Sequence, residues 1–201
     1  NRAPIDAVRA IQNASSGSTG WTIAQYLHRM GHRVICIAGK TSVAPEFTLP
    51  DVRRGGSPNE MLAVSLEVAS SDPKPDAWIY SAAVLDYFTE PLSEKKSSGD
   101  KTWDISLTEG PKHISEIAPF VSGARRIGFK LETGVSVEVL IDRARQQIER
   151  YGVDAVVANL KEEVHDRDFP RGRIVLPDGT VQVMRDDADL CEAVESLLHD
   201  S

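Results

Sequence analysis

Four short segments carry residue types from which a site for an anionic small molecule could be built. Residues 13–20 (NASSGSTG) combine a neutral amide at Asn13, hydroxyls at Ser15 and Ser16, and two glycines, Gly17 and Gly20. Such a turn lets the backbone approach a ligand closely and opens a helix N-terminus, whose free N–H groups attract anions. A turn that merely packs a helix on a strand would look the same, and the segment is neither a GxGxxG nor a GxxxxGK fingerprint. Residues 82–87 (AAVLDY) end an apolar run with Ala82 and Ala83, against which a flat ring or ribose can lie, and follow with Asp86 as a hydrogen-bond acceptor. Lys95 and Lys96 lead Ser97-Ser98-Gly99, a composition suited to a loop that closes on phosphate. Pro111, Lys112, His113 and Ile114 begin a helical pattern and add its first N–H groups. The bland alternatives are packing residues, a turn aspartate and a solvated charge run.

Other chemistries find less support. His28 and His32 are four apart, but Gly31 ends the helix between them and no third ligand is near in sequence, so no metal site is expected. Cys36 lies inside an apolar run and reads as an inert small hydrophobe. No tyrosine has a lysine four residues on, and no GxSxG elbow is present.

The elements that must position these segments alternate. A helix is expected over residues 17–30, a buried strand over 33–39, and a helix opened by the capping box Ser57-Pro58-Asn59-Glu60. Strands follow at 76–83 and 103–108, a helix at 111–119, a strand at 125–131, a helix at 135–151 closed by Gly152, and a strand at 153–158. Residues 173–184 turn at Pro177-Asp178-Gly179 as a hairpin, and a last amphipathic helix starts near Asp187. Residues 86–100 are polar and read as a long functional loop. This is the pattern of an α/β domain: a doubly wound, Rossmann-like parallel sheet with helices on both faces and a small β-hairpin appendage, one domain over 1–201. Ligands of such sheets sit beyond the carboxyl ends of the strands, where the four segments fall.

Composition sets the class of partner. With 23 Lys and Arg against 30 Asp and Glu the chain carries −7, which argues against nucleic acid or an acidic membrane. Residues 1–56 hold seven basic against three acidic residues, so the N-terminal part would receive an anion best. No apolar run approaches the roughly 20 residues that span a bilayer. Two distant cysteines support no disulfide framework, and a cytoplasmic setting is expected.

Taken together, the motifs are more specific than any one of them. Pro4-Ile5-Asp6, Val8-Arg9 with residues 13–17 (NASSG), residues 82–87 (AAVLDY), Lys95 with Ser97-Ser98, residues 128–133 (GFKLET) and Val157-Ala158-Asn159 follow in an order that resembles phosphopantothenate–cysteine ligase over nearly the whole chain. It is similar to the stand-alone form, with no flavin-binding decarboxylase domain. The resemblance implies a ligase of coenzyme A biosynthesis that joins 4′-phosphopantothenate to L-cysteine. A nucleoside triphosphate with Mg²⁺ would first give an acyl-nucleotide and pyrophosphate, with CTP preferred over ATP, in a homodimer. By position it makes Asn13 and Lys95 catalytic. It assigns the nucleotide to Ala82, Ala83, Asp86, Lys95, Pro111, Lys112, His113, Ile114, Phe129 and Lys130, and the acyl substrate to Asn13, Ser15, Ser16, Gly17 and Gly20.

Three positions depart from that family. Ser18 stands where a lysine is usual, Gln147 stands at a phosphate-contacting lysine, and Lys130 is the candidate replacement for the lost charge. Family members also have a strand and a glycine-containing turn ahead of Pro4, so a central strand is expected to be missing. The competing functions are a nicotinamide-dependent oxidoreductase on the same fold and a silent nucleotide-binding module.

Overall fold

The computed structural model describes residues 1–164 and 166–199. The first strands, β1 (Arg2–Pro4) and β2 (Ala10–Gln12), form an antiparallel hairpin that the sequence did not announce. Helix α1 (Ser18–Arg29) follows, with Trp21, Ile23, Ala24 and Leu27 on its buried side. Strands β3 (Ile35–Ala38) and β4 (Asp51–Arg54) pair in parallel, and β4, with its polar sequence DVRR, was not expected. Helix α2 (Pro58–Ala69) opens on the anticipated capping box: Ser57 N–H donates to Glu60 Oε2 at 2.9 Å, and Glu60 N–H donates to Ser57 Oγ at 3.2 Å. Such a cap contributes about 1 kcal/mol.

Then come β5 (Ala77–Ile79), the short antiparallel pair β6 (Tyr87–Phe88) and β7 (Thr108–Glu109), and α3 (His113–Ile117), prolonged by a 3₁₀ turn at Ala118–Phe120. The C-terminal half is β8 (Arg125–Glu132), α4 (Val137–Tyr151), β9 (Ala155–Leu160), β10 (Gly172–Val175), β11 (Val181–Met184) and α5 (Asp187–His199).

The main sheet runs β11-β10-β9-β8-β5, with β5, β8 and β9 parallel. Alternation along β9 explains why it must be covered twice. Ala155 and Val157 pack with Ile23 and Leu27 of α1 and Leu190 and Val194 of α5 on one face. Val156, Ala158 and Leu160 meet Leu140, Ala144 and Ile148 of α4 on the other. Leu140 and Ala144 are fully buried, and a Leu140→Ala cavity at such a site costs about 2–5 kcal/mol. Helices therefore cover both faces, and the expected doubly wound α/β class holds.

Several expectations are corrected in detail. The hairpin is no appendage: β10 pairs antiparallel with β9 and extends the main sheet, because Ile174 and Val175 are apolar and need cover on both faces. The strand expected at 103–108 shrinks to β7, since Ile105 and Leu107 remain exposed and nothing covers them. The strand expected at 76–83 ends at Ile79; after Tyr80 N–H reaches Ile127 O at 2.9 Å, the chain turns away. The parallel strands also fall into two sheets, and among the described residues no strand joins β3 to β5. Asn1 spans the interval: Gly39, just past β3, lies against its Cα, and beyond β5 its ammonium donates to Ala83 O at 3.3 Å while its Oδ1 accepts from Leu85 N–H at 3.1 Å.

Candidate functional site

The site forms where the turns after β2, β3 and β5 meet. Gly17 sits at φ +85°, and a Cβ there would come within 2.3 Å of Thr41 Cγ2, so the turn before α1 needs glycine for both conformation and space. Above it, the loop after β3 is tied down by Ser42 N–H to Ser16 O at 3.2 Å and by Trp21 Nε1–H to Thr41 Oγ1 at 3.2 Å. Gly20 faces Ser81, near the end of β5. The Asn13 amide donates to both Ala83 O and Val84 O, each at 3.2 Å.

A cleft of about 560 Å³ opens between these turns, lined by Asn13, Ser15, Ser16, Lys40 and Ser42 among others. Helix α1 begins beside this region with no acidic residue in its first turn and no side-chain cap from Gly17; Ser16 Oγ takes the Ser18 N–H, which leaves the next N–H groups of the first turn for an anion. Ser18, the position of the usual lysine, instead turns its N–H and hydroxyl to Ser16 Oγ, each at 3.2 Å. No carboxylate lines the cleft, so its side chains alone do not make a Mg²⁺ site of the carboxylate kind.

Of the expected residues, the structure brings Asn13, Ser15, Ser16, Gly17, Gly20 and Ala83 together. Others are engaged elsewhere. Lys112 Nζ pairs with Asp86 Oδ1 at 2.6 Å; this hydrogen bond holds the Lys112 ammonium above its ordinary value and occupies the carboxylate expected to meet the nucleotide. His113 is buried with Nε2 unpartnered, and burial pushes its pKa down. Pro111 precedes, and Ile114 lies within, a helix of only five residues, too short to act as an anion-binding dipole.

Phe129 and Lys130 point to opposite faces of β8: Phe129 packs toward α1 and α5, whereas Lys130 Nζ pairs with Glu132 at 3.0 Å. Gln147 lies against Gly128 and donates to Phe129 O at 3.4 Å.

The lysine loop is anchored to the β1–β2 turn. Asp6, buried, accepts from the N–H groups of Val8 at 2.9 Å and Arg9 at 2.7 Å and, across the chain, from Lys96 N–H at 3.1 Å. Arg9 pairs with Asp6 at 2.6 Å and lies over the Trp103 ring at 5.1 Å. Burial alone would raise the Asp6 carboxyl; those three N–H groups and the Arg9 charge outweigh it and hold the pKa at about 2. Lys95, the residue next to this anchor, is exposed.

Sequence reasoning missed three cations, of which Arg2 and Lys40 line the cleft. Lys40 lines the cleft immediately after β3 and Gly39. Its signal was available, since strand-end position had already selected the other segments. Arg171 is buried and bonds Asp187 at 2.6 Å, Thr19 Oγ1 at 2.7 Å and Asn159 Oδ1 at 3.3 Å, which ties the first turn of α1 to the end of β9. A lone arginine in a loop gives no such sign.

With that geometry in hand, comparison with known proteins is decisive. The family described as DNA/pantothenate metabolism flavoprotein C-terminal domain matches residues 1–188. The chain belongs to that family. It is 36% identical over 158 residues to the coenzyme A biosynthesis bifunctional protein CoaBC of Thermococcus kodakarensis, covering 79% of this chain and 38% of that protein. The corresponding protein of Escherichia coli is 32% identical over 171 residues, with the same coverage of 79% and 38%. The chain thus spans about two fifths of the length of these curated relatives.

Among solved structures, the DNA/pantothenate metabolism flavoprotein from Streptococcus pneumoniae matches with a TM-score of 0.84 at 24% identity, covering 98% of this chain and 93% of that one. A Cab2 variant in complex with phosphopantothenate-cysteine matches with a TM-score of 0.77 at 17% identity, over 98% of this chain and 83% of that one. Both show the family's Rossmann-like fold. No helix among the described residues is long and apolar enough to cross a membrane.

Proposed function

We propose that the domain is a phosphopantothenate–cysteine ligase of coenzyme A biosynthesis. The observation that carries this reading is the cleft between the turns after β2, β3 and β5, lined by the Asn13 amide, the Ser15 and Ser16 hydroxyls and the cations Arg2 and Lys40, in a chain of this family. A carboxylate does not acylate an amine at neutral pH without a better leaving group. In the proposed reaction the acid oxygen of 4′-phosphopantothenate attacks the α-phosphorus of a nucleoside triphosphate, CTP before ATP, and pyrophosphate departs. The cysteine amine then attacks the acyl carbon, and the nucleoside monophosphate leaves as the amide forms.

Lys40 and the α1 N–H groups supply positive potential for the phosphate-bearing substrate. Lys95, on the loop tethered through Asp6, would close over the triphosphate. Ala82 and Ala83 offer a flat wall for the nucleoside, and release of Asp86 from Lys112 would free both for it. Mg²⁺ would be held chiefly by the phosphates themselves, and no step here is routed through it. A homodimer is part of the proposal. It is supported by exposed Val8 in the β1–β2 turn and exposed Leu92, Ile105 and Leu107 on the segment docked beside it, an apolar surface suited to a second copy.

A nucleotide panel tests the reading. Pyrophosphate release is expected only when 4′-phosphopantothenate is present, and the full product only with cysteine. Nucleotide-independent hydride transfer to a nicotinamide, or no pyrophosphate with any triphosphate, would overturn it.

A further inference from the structure

We propose that His32, Glu195 and His199 form a binding site for one divalent transition-metal ion of the zinc class. His32 stands just beyond α1, and Glu195 and His199 lie one turn apart on α5. They meet because α1 and α5 pack side by side on the sheet, which supplies the third ligand that sequence spacing could not show. Nε2 of His32 lies 3.3 Å from Glu195 Oε1, and Nε2 of His199 lies 2.7 Å from the same oxygen. All three donor atoms fall within 4.8 Å of one another.

The spacing suits a tetrahedral ion. Zinc bonds to imidazole nitrogen and carboxylate oxygen of about 2.0–2.2 Å require ligand atoms about 3.3 Å apart. The His32–Glu195 separation of 3.3 Å already has that value. The His199 contact must open by roughly half an ångström, which a modest side-chain rotation supplies. His199 is free to make it, because its side chain is 63% exposed in the last turn of α5. The partial exposure of all three residues leaves room for water as the fourth ligand.

Charge argues the same way. Among the described residues Glu195 pairs with no lysine or arginine; its partners are the His199 and His32 rings. Glu192 lies on the same side of α5, where it and Glu195 both act on the Tyr26 hydroxyl behind them. The Glu195 carboxylate therefore has no lysine or arginine as counter-charge among the described residues. A bound cation supplies one and replaces two N–H···O contacts by three metal bonds. Two imidazoles and one carboxylate favour a transition metal over Mg²⁺, which prefers oxygen ligands. The site lies at the far end of α1 from Gly17, about 18 Å along a helix of 12 residues. The ion would therefore pin α5 to the α1–β3 turn and take no part in the reaction at the cleft.

The test uses the tag-free chain, stripped with chelator and titrated with Zn²⁺ against a chromogenic zinc indicator. One equivalent is expected to bind, and millimolar Mg²⁺ should not displace it. His199→Ala removes an exposed side chain and leaves the fold intact. It and His32→Ala should each weaken zinc by more than the roughly 10-fold lost when only an outer-shell partner of a metal site is removed. Zinc should also raise the thermal midpoint of the unaltered chain and not that of the variants. Absence of binding, or equal zinc affinity in the unaltered chain and both variants, would overturn the proposal.

Discussion

The side-chain amide of Asn13 lies 3.2 Å from the carbonyl oxygen of Ala83 and donates to it across the cleft floor. This contact joins the turn after β2 to the turn after β5, two segments that share no sheet. The Asn1 side chain reaches the same turn, where its Oδ1 accepts from Leu85 N–H at 3.1 Å.

Lys40 and Lys95 divide the expected work on phosphate. Lys40→Ala removes the lysine that lines the cleft, and loss of one charge-assisted hydrogen bond of about 1.5–3 kcal/mol should lower kcat/KM by roughly 10- to 100-fold. Lys95→Ala should instead slow acyl-nucleotide formation on the order of 10²-fold, the usual loss when charge stabilisation in the transition state is removed. Single-turnover pyrophosphate release separates them. An unaffected Lys95→Ala with a crippled Lys40→Ala would move the clamp from the loop to the cleft wall.

Asp6 should govern the loop. Asp6→Asn replaces one of the carboxylate oxygens that accept from Val8, Arg9 and Lys96 and removes the charge facing Arg9, so residues 92–103 should become sensitive to protease while α1 stays protected. The pH dependence has a definite sign. The carboxyl sits at about 2 in the fold against an ordinary 3.8, so its contribution is full above about pH 4 and is lost as pH falls toward 2. Proteolysis of the loop should rise over that window in the unaltered chain. Asp6→Asn should be equally sensitive at pH 7 and pH 3 once protease activity is normalised.

Two glycines make an internal comparison. Gly31 sits at φ +94° with nothing within 4 Å of an added Cβ, whereas Gly17 at φ +85° would place that atom 2.3 Å from Thr41. Gly31→Ala should cost only the left-handed penalty, about 1–2 kcal/mol. Gly17→Ala should cost more in denaturant unfolding, because the loop after β3 must also move. It should also reduce activity in chains that remain folded, whereas Gly31→Ala should not.

What could be read from the sequence was what strong periodicity and caps dictate. The helix expected over 135–151 is α4, closed by Gly152 as anticipated, and the strand expected over 153–158 is β9, largely apolar because both its faces are covered. Cys36 is as inert as its apolar run suggested, since burial pushes its thiol up to about 11. The short strands β1, β2 and β4 carried no such signal: each has only three or four residues, too few to show a periodicity. The site was legible as a set of turns. Its internal bonds, Lys112 to Asp86 and Arg171 to Thr19, were not, because they join residues 26 and 152 positions apart.

Asn13 offers the sharpest division of the two half-reactions. In the proposed reaction, activation needs positive charge at the phosphates, the role proposed for Lys40, Lys95 and the α1 N–H groups. Attack by the cysteine amine builds negative charge on the acyl oxygen, where a neutral amide donor is useful. In the structure that donor is committed to Ala83 and Val84, so serving the acyl oxygen requires it to exchange one carbonyl for the substrate. Asn13→Asp keeps the size, removes the donor, and sets a carboxylate against two carbonyl oxygens. The exposed position should limit the loss of stability, so a thermal midpoint close to that of the unaltered chain is expected. Pyrophosphate release should persist while transfer to cysteine falls by roughly 10²- to 10³-fold, the usual loss for one such donor. Mass spectrometry of a quenched single turnover should then show the acyl-nucleotide accumulating on the enzyme. Full-rate product without that species would show that Asn13 acts only to hold the turn after β5, and Asn13→Ala should then weaken nucleotide binding and leave transfer untouched.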